Sequence, residues 1–240
     1  MTKLAVLNNV DHKDLKINTS RSAELGDAYM CVPTFPKEFR SVQAHYPIVF
    51  GKNAQSEEYT PLVLLGLQEN ENLFLRDGEW DARYLPLCAE AKPFLIGPGQ
   101  NNPADDEQQW VIHVDMDSPK LGVASGVSLF KEFGGNSDYL DRVREVLQAI
   151  HEGIAEVKPF TDLLEKYELL EPFSAETQLI NRQTCRLEGF YTINEERLAN
   201  LPAEDISHLH NSGFLFDIHM QLASLSHLAD LFDRKNALLS

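Results

Sequence analysis

The chain has 240 residues, 43% of them apolar and 24% charged, and a net charge of −16 from 37 acidic and 21 basic side chains. That length permits one large domain or two small ones and buries enough surface to fold without a metal or disulfide staple. So acidic a surface repels phosphate backbones and anionic lipid, which removes nucleic acid and membrane surfaces as expected partners.

The three cysteines, Cys31, Cys88 and Cys185, lie far apart and outside any CxxC spacing. Neither a disulfide framework nor a zinc site is expected, and buried free thiols in a reducing compartment are the default. The first residues carry no apolar run of signal-peptide length, and no segment approaches the ~18 apolar residues of a membrane span. A cytoplasmic protein is therefore expected.

Short strands are predicted at 28–32, 48–50, 62–67, 73–75, 94–96 and 110–114, most of them bounded by Pro, Gly, Asn or Asp. Pro47 and Pro61 are placed at strand starts, where a missing N–H is tolerated. The polar run 51–59 fits a longer hairpin loop, with tighter turns at 68–72 and at Asp77-Gly78. Strands this close, without helices between them, argue for an antiparallel sheet or small barrel. Residues 97–107 (GPGQNNPADDE) are expected to form an exposed loop.

Beyond residue 125 the pattern turns helical. Ser137 is a candidate N-cap for a helix whose apolar positions, from Leu140 through Val143, Leu147, Ile150 and Leu164 to Tyr167, recur at three-and-four spacing. Pro159 should kink or divide it. Gly134-Gly135 is read as the stop of a short helix before it. A hairpin is predicted from 173–180 and 184–191, then a short helix capped by Asn194, another beginning at Pro202, and a last continuous helix from Phe214 to about Asn236.

Chemistry is sparse. His113 and Asp115, two apart on a predicted strand, point the same way and are two members of a possible iron triad, with His219 as the third. His208 and His210, and His219 and His227, miss the four-residue spacing by which a helix grips one metal. Asp115 and Asp117 form a same-face carboxylate pair if the strand continues, although Ser118-Pro119 favours a turn cap for Asp117. No GxSxG, GxxxxGK[ST] or GxGxxG occurs. The aromatics Tyr46, Phe50, Tyr59, Phe74, Trp80, Tyr84 and Phe94 are expected to form a sheet core, with a peptide groove as the alternative.

The segments HYPIVF (45–50), PLVLLGLQENENLF (61–74), YLPLCAEAKPF (84–94), DMDSPKL (115–121), LLEPF (169–173), LEGFYTINEERLANL (187–201) and SGFLFDIHMQLASLSHLADL (212–231) occur in an order that resembles the SapC-like family of bacterial proteins. The resemblance implies an accessory or regulatory role more than a catalytic one, because members associate with surface-layer secretion genes, outer-membrane receptors and oxygenase-like neighbours. It carries no agreed catalytic residue. The family pattern often has an apolar residue or Cys where this chain has His113, and a second His where it has Gln221; both departures weigh against a metal.

The expected fold is α+β: one SapC-like domain over 1–240, with an antiparallel strand-rich N-terminal half (1–124) packed against a mainly helical C-terminal half (125–240). The expected function is non-enzymatic binding or regulation through a protein partner, without cofactor. The apolar helix faces also fit a homodimer. The alternatives are a metal-dependent oxygenase using His113, Asp115 and His219, and a peptide or small-ligand sensor. Candidate ligand contacts are Tyr46, Trp80, Trp110, Asp117, Tyr191 and His219, grouped where the sheet should meet 110–119 and the last helix.

Overall fold

The computed structural model describes residues 3–99 and 110–239. In chain order they form β1 (Leu4–Val6), β2 (Lys16–Ile17), β3 (Cys31–Pro33), α1 (Pro36–Val42), β4 (Ile48–Lys52), β5 (Tyr59–Leu64), β6 (Leu75–Arg76) and β7 (Glu79–Trp80). Next come α2 (Leu87–Glu90), β8 (Phe94–Pro98), β9 (Trp110–Asp115), β10 (Val127–Ser128), α3 (Asp138–Ile154) and α4 (Val157–Lys166). The chain ends with β11 (Leu170–Gln178), β12 (Thr184–Ile193), α5 (Glu195–Ala199), α6 (Ala203–Asn211), α7 (Phe214–Ser224) and α8 (His227–Ala237). It is an α+β chain, strand-rich before residue 125 and mainly helical after it. No helix among the described residues is long and apolar enough to cross a membrane.

Contacts gather the chain into two compact units that interleave in sequence. The first comprises Met1–Asp27, Leu75–Trp80 and Leu87–His151; the second comprises Ala28–Phe74, Asp81–Pro86 and Glu152–Ser240. The segment 46–94, expected to be one sheet core, is therefore shared out: β4 and β5 belong to the second unit, whereas β6, β7 and β8 belong to the first.

The first unit holds an antiparallel sheet of order β1-β9-β8, the pair β10-β2 and the hairpin β6-β7. Asp77 and Gly78 turn that hairpin with φ of 52° and 82°. Left-handed backbone at both positions matches strand twist, so Asp-Gly suits this two-residue loop. The unit's centre is ionic. Asp27 is fully buried and Lys120 is 3% exposed. The Lys120 Nζ lies 2.7 Å from Asp27 Oδ2 and also donates to the Ser20 carbonyl, while Arg21 Nη1 lies 3.2 Å from Asp27 Oδ1 and donates to the Ala89 carbonyl. Burial pulls the Lys120 pKa below its ordinary value, and the hydrogen bond to Asp27 opposes that shift.

The second unit is built on an antiparallel sheet of order β11-β12-β4-β5-β3. Ile48, Val49 and Phe50 of β4 are all buried, as a central strand covered on both faces requires. Phe160 of α4 packs edge-on against Phe39 of α1 at 5.7 Å between ring centroids and meets Phe214 of α7 at 5.2 Å. Two polar side chains fasten α7 to the sheet: Gln221 Nε2 donates to the Ile48 carbonyl at 2.8 Å, and the Ser224 hydroxyl accepts from Ile48 N at 2.9 Å. The Gln221 amide also donates to Thr192 Oγ1 of β12.

Several local expectations match the structure. Ser137 Oγ accepts from Leu140 N and starts α3, Asn194 Oδ1 accepts from Arg197 N and starts α5, and the β11–β12 hairpin turns at 179–183. The long helix divides at 155–156, and Pro159 sits in the first turn of α4. Proline is tolerated there because that N–H has no intrahelical acceptor.

Other expectations are corrected. The last helix is not continuous: α7 ends at Ser224 and α8 begins at His227. The hydroxyls of Ser224 and Ser226 bond back to the carbonyls of Gln221 and Ala223, which loosens the helical ladder at that point. Pro61 lies inside β5, opposite Phe50. Its carbonyl accepts from Thr34 N on the side where β3 has already ended, so its missing N–H leaves no ladder bond unmade. Gly134 and Gly135 do not stop a helix. Both have positive φ and turn the chain between Phe130 and Asn136, which form an isolated antiparallel bridge. Gly97 and Pro98 are strand residues of β8, and residues 100–107 of the expected loop lie outside the described residues. None of the three cysteines is in a disulfide, and all are half-buried where full burial was expected.

Two substitutions test this packing. Asp27→Ala should cost about 3–5 kcal/mol in denaturant unfolding, because it strands a buried ammonium. The double change Asp27→Leu with Lys120→Met should cost markedly less. Gly153 of α3 offers a second test, since a Cβ there would come within 2.1 Å of the Phe35 ring. Ala would gain up to ~1 kcal/mol of helix propensity, but overpacking costs ~1–3 kcal/mol, so Gly153→Ala should lower the melting temperature.

Candidate functional site

The second unit carries an open cleft of about 660 Å³, walled by α8, the chain after α1 and the segment around Asp81–Arg83. Helix α8 contributes His227, Asp230, Asp233, Arg234 and Ala237, whose three-and-four spacing places them on one face. His45 follows α1 directly, and Phe74 lies on the floor beside it.

Arg234 shapes one wall. Its Nη1 lies 2.8 Å from Asp81 Oδ2, its Nη2 donates to the Asp81 carbonyl at 3.0 Å, and its guanidinium stacks 4.2 Å from the Phe74 ring centroid. These bonds commit the Arg234 charge to the fold. His227 Nδ1 lies 2.8 Å from Asp230 Oδ2, a pairing that orients the ring with its Nε2 left over. Among the described residues Arg83 and Asp233 make no hydrogen bond or ion pair, and both are exposed. Burial, and then the neighbouring His227 and Arg83, hold the His45 imidazole below its ordinary pKa, which favours its neutral form at neutral pH.

The residues singled out from sequence lie elsewhere. Tyr46 is a core residue with no exposed surface; its hydroxyl donates to the Tyr84 carbonyl and its ring packs 4.7 Å from Phe74. Tyr191 of β12 packs edge-on against Tyr59 at 5.0 Å. His219 of α7 is exposed, and its Nδ1 lies against the Leu215 carbonyl. Trp80, Trp110 and Asp117 belong to the first unit. Trp80 pairs with Leu75 across the β6–β7 hairpin, Trp110 is half-exposed against His151 at 4.2 Å, and Asp117 accepts from Lys3 N.

His113 and Asp115 share one face of β9, as their spacing predicts. His113 Nε2 lies 3.3 Å from the Pro98 carbonyl, and its ring covers Gly97, where a Cβ would stand 2.9 Å from it. The strand ends at Asp115, whose carboxylate accepts from Asp117 N, so the two aspartates form a turn and not a same-face pair. His113 and Asp115 lie in the first unit and His219 in the second. Among the described residues no group of three His, Cys, Asp or Glu is gathered so as to hold a metal. The position where the family pattern has a second His is Gln221, which is buried and bonded to the sheet.

Sequence reading passed over His45, Arg83 and Asp230 as site residues and weighed His227 only as a metal ligand beside His219. The one local signal was the spacing of His227 and Asp230, three apart on a helix.

Asp217, in the first turn of α7, has its carboxyl pushed up to about 7, first by burial and then by the nearby negative charge of Glu156. A raised folded-state pKa means that Asp217 favours the fold below about pH 4 and loses that contribution as pH rises through 7. Asp217→Asn should therefore raise the melting temperature at pH 8, leave it nearly unchanged at pH 3, and flatten the decline between.

The SapC family model matches residues 7–231. No curated protein and no solved structure matches the chain.

Proposed function

Because the chain belongs to the SapC family, we propose that it is a non-enzymatic binding protein, an accessory or regulatory factor that acts in the cytoplasm through a protein partner. The observation that carries this reading is the open cleft of the second unit. Its Arg234–Asp81 and His227–Asp230 pairs brace the walls, while Arg83 and Asp233 remain available to a visiting group.

Arg83 and Asp233 are solvent-exposed, so reversing them should leave the fold intact. Tagged wild-type protein should capture one protein at near-equal amounts from native lysate, and Arg83→Glu with Asp233→Lys should reduce its recovery at least about tenfold. Absence of a stoichiometric partner for the wild type, or equal recovery by both proteins, would overturn the proposal. The volume of the cleft also supports a small-ligand sensor, since about 660 Å³ falls within the range of small-molecule sites.

A further inference from the structure

The cleft of the second unit presents one charge of each sign that no group among the described residues satisfies. Its carboxylates are Asp81, Asp230 and Asp233, and its guanidiniums are Arg83 and Arg234. Asp81 is taken by Arg234, and Asp230 by His227. One cation, Arg83, and one carboxylate, Asp233, remain without a hydrogen bond or ion pair among the described residues.

These two charges belong to different walls. Arg83 comes from the segment beyond Asp81 and acts on His45, while Asp233 comes from α8. Arg83 and His227 both disfavour the protonated form of His45; His227 is itself paired with Asp230, which leaves Arg83 as the cation beside His45 with no carboxylate of its own among the described residues. The surroundings of His45 and Arg83 therefore favour an anionic group, and Asp233 favours a cationic one.

A purely anionic ligand would meet carboxylates that outnumber the guanidiniums, with His45 neutral. A purely cationic ligand would meet Arg83 unscreened. A molecule bearing both charges satisfies each wall. We propose that this cleft binds a small zwitterion of the α-amino-acid type, with its carboxylate against Arg83 and His45 and its ammonium against Asp233. Phe74, Ala44, Ala82 and Ala237 supply the apolar surface for the rest of the molecule. The bidentate geometry of a guanidinium suits a carboxylate, and the neutral His45 ring adds a hydrogen bond without a second desolvated charge. The proposal deepens the reading of this cleft as a binding site and rests on it.

The test uses the full chain with labelled histidine rings and three probes: L-alanine, N-acetyl-L-alanine (anion only) and L-alaninamide (cation only). Titration to about 10 mM detects millimolar affinity. L-Alanine should give saturable shifts of the His45 and His227 ring signals, and each blocked probe should bind at least about tenfold more weakly, the loss of one charged contact. Arg83→Gln and Asp233→Asn should each weaken L-alanine binding by a similar factor. Lack of saturable shifts with L-alanine, equal binding of either blocked probe, or unchanged binding by Arg83→Gln would overturn the zwitterion assignment. Partner capture from lysate that persists under any of those results would leave the binding-protein reading standing, so the two failures are distinguishable.

Discussion

The second unit depends on the Arg234 guanidinium. The chain leaves that unit after Phe74 and re-enters it at Asp81. Arg234 bonds to the Leu73 carbonyl on the outgoing side, to the carboxylate and carbonyl of Asp81 on the returning side, and stacks on Phe74 between them. Planar, multidentate and permanently charged, Arg can make all these contacts at once; Lys, a point charge on a flexible stem, cannot. The next two residues extend the clamp. Lys235 pairs with the largely buried Glu71, and Asn236 Oδ1 accepts from Ile180 N in the β11–β12 turn. Three consecutive side chains of α8 thus gather the chain near residue 71, the re-entry at Asp81 and the tip of a hairpin.

That clamp also makes the cleft. By holding the re-entering segment beside Phe74, Arg234 helps to place Arg83, two residues beyond Asp81, in the lining of the same cleft as His227. Structural and available charges are divided within one helix: Arg234 is spent on the fold, Asp230 on orienting His227, and Asp233 on no hydrogen bond or ion pair among the described residues. An excursion in the chain, closed by an ion pair, leaves beside it a concave surface with ungrouped charges, which is the physical ground for reading it as a binding site.

The first unit solves its own closure differently. Its N-terminal segment ends at Asp27, and Asp27 is buried between Lys120 and Arg21. Three ionised groups out of water are expensive unless every lone pair and proton is used. Here the Ser20 and Ala89 carbonyls and the Ser22 N–H complete the set. The arrangement fixes which segments meet, because no apolar substitute would select these partners as sharply.

What was legible in the residues alone is what short-range physics controls. A capping hydroxyl at Ser137, a capping amide at Asn194, the Asp-Gly turn between β6 and β7, the β11–β12 hairpin and the α+β class all follow from residues within a few positions of one another. Even the division of the long helix was readable, because the proline clash acts four residues away. The break between α7 and α8 was not: it follows Ser224, whose hydroxyl accepts from Ile48 N, far away in the chain. The same holds for the pairing of β12 with β4, for the sharing of 46–94 between two units, and for Tyr46 becoming core while its neighbour His45 faces the cleft. The cleft is assembled from residues near 45, 81 and 230, whose proximity depends on the Arg234–Asp81 pairing and on the stacking of Arg234 over Phe74. Those contacts join residues far apart in the chain, so they exist only once it has folded.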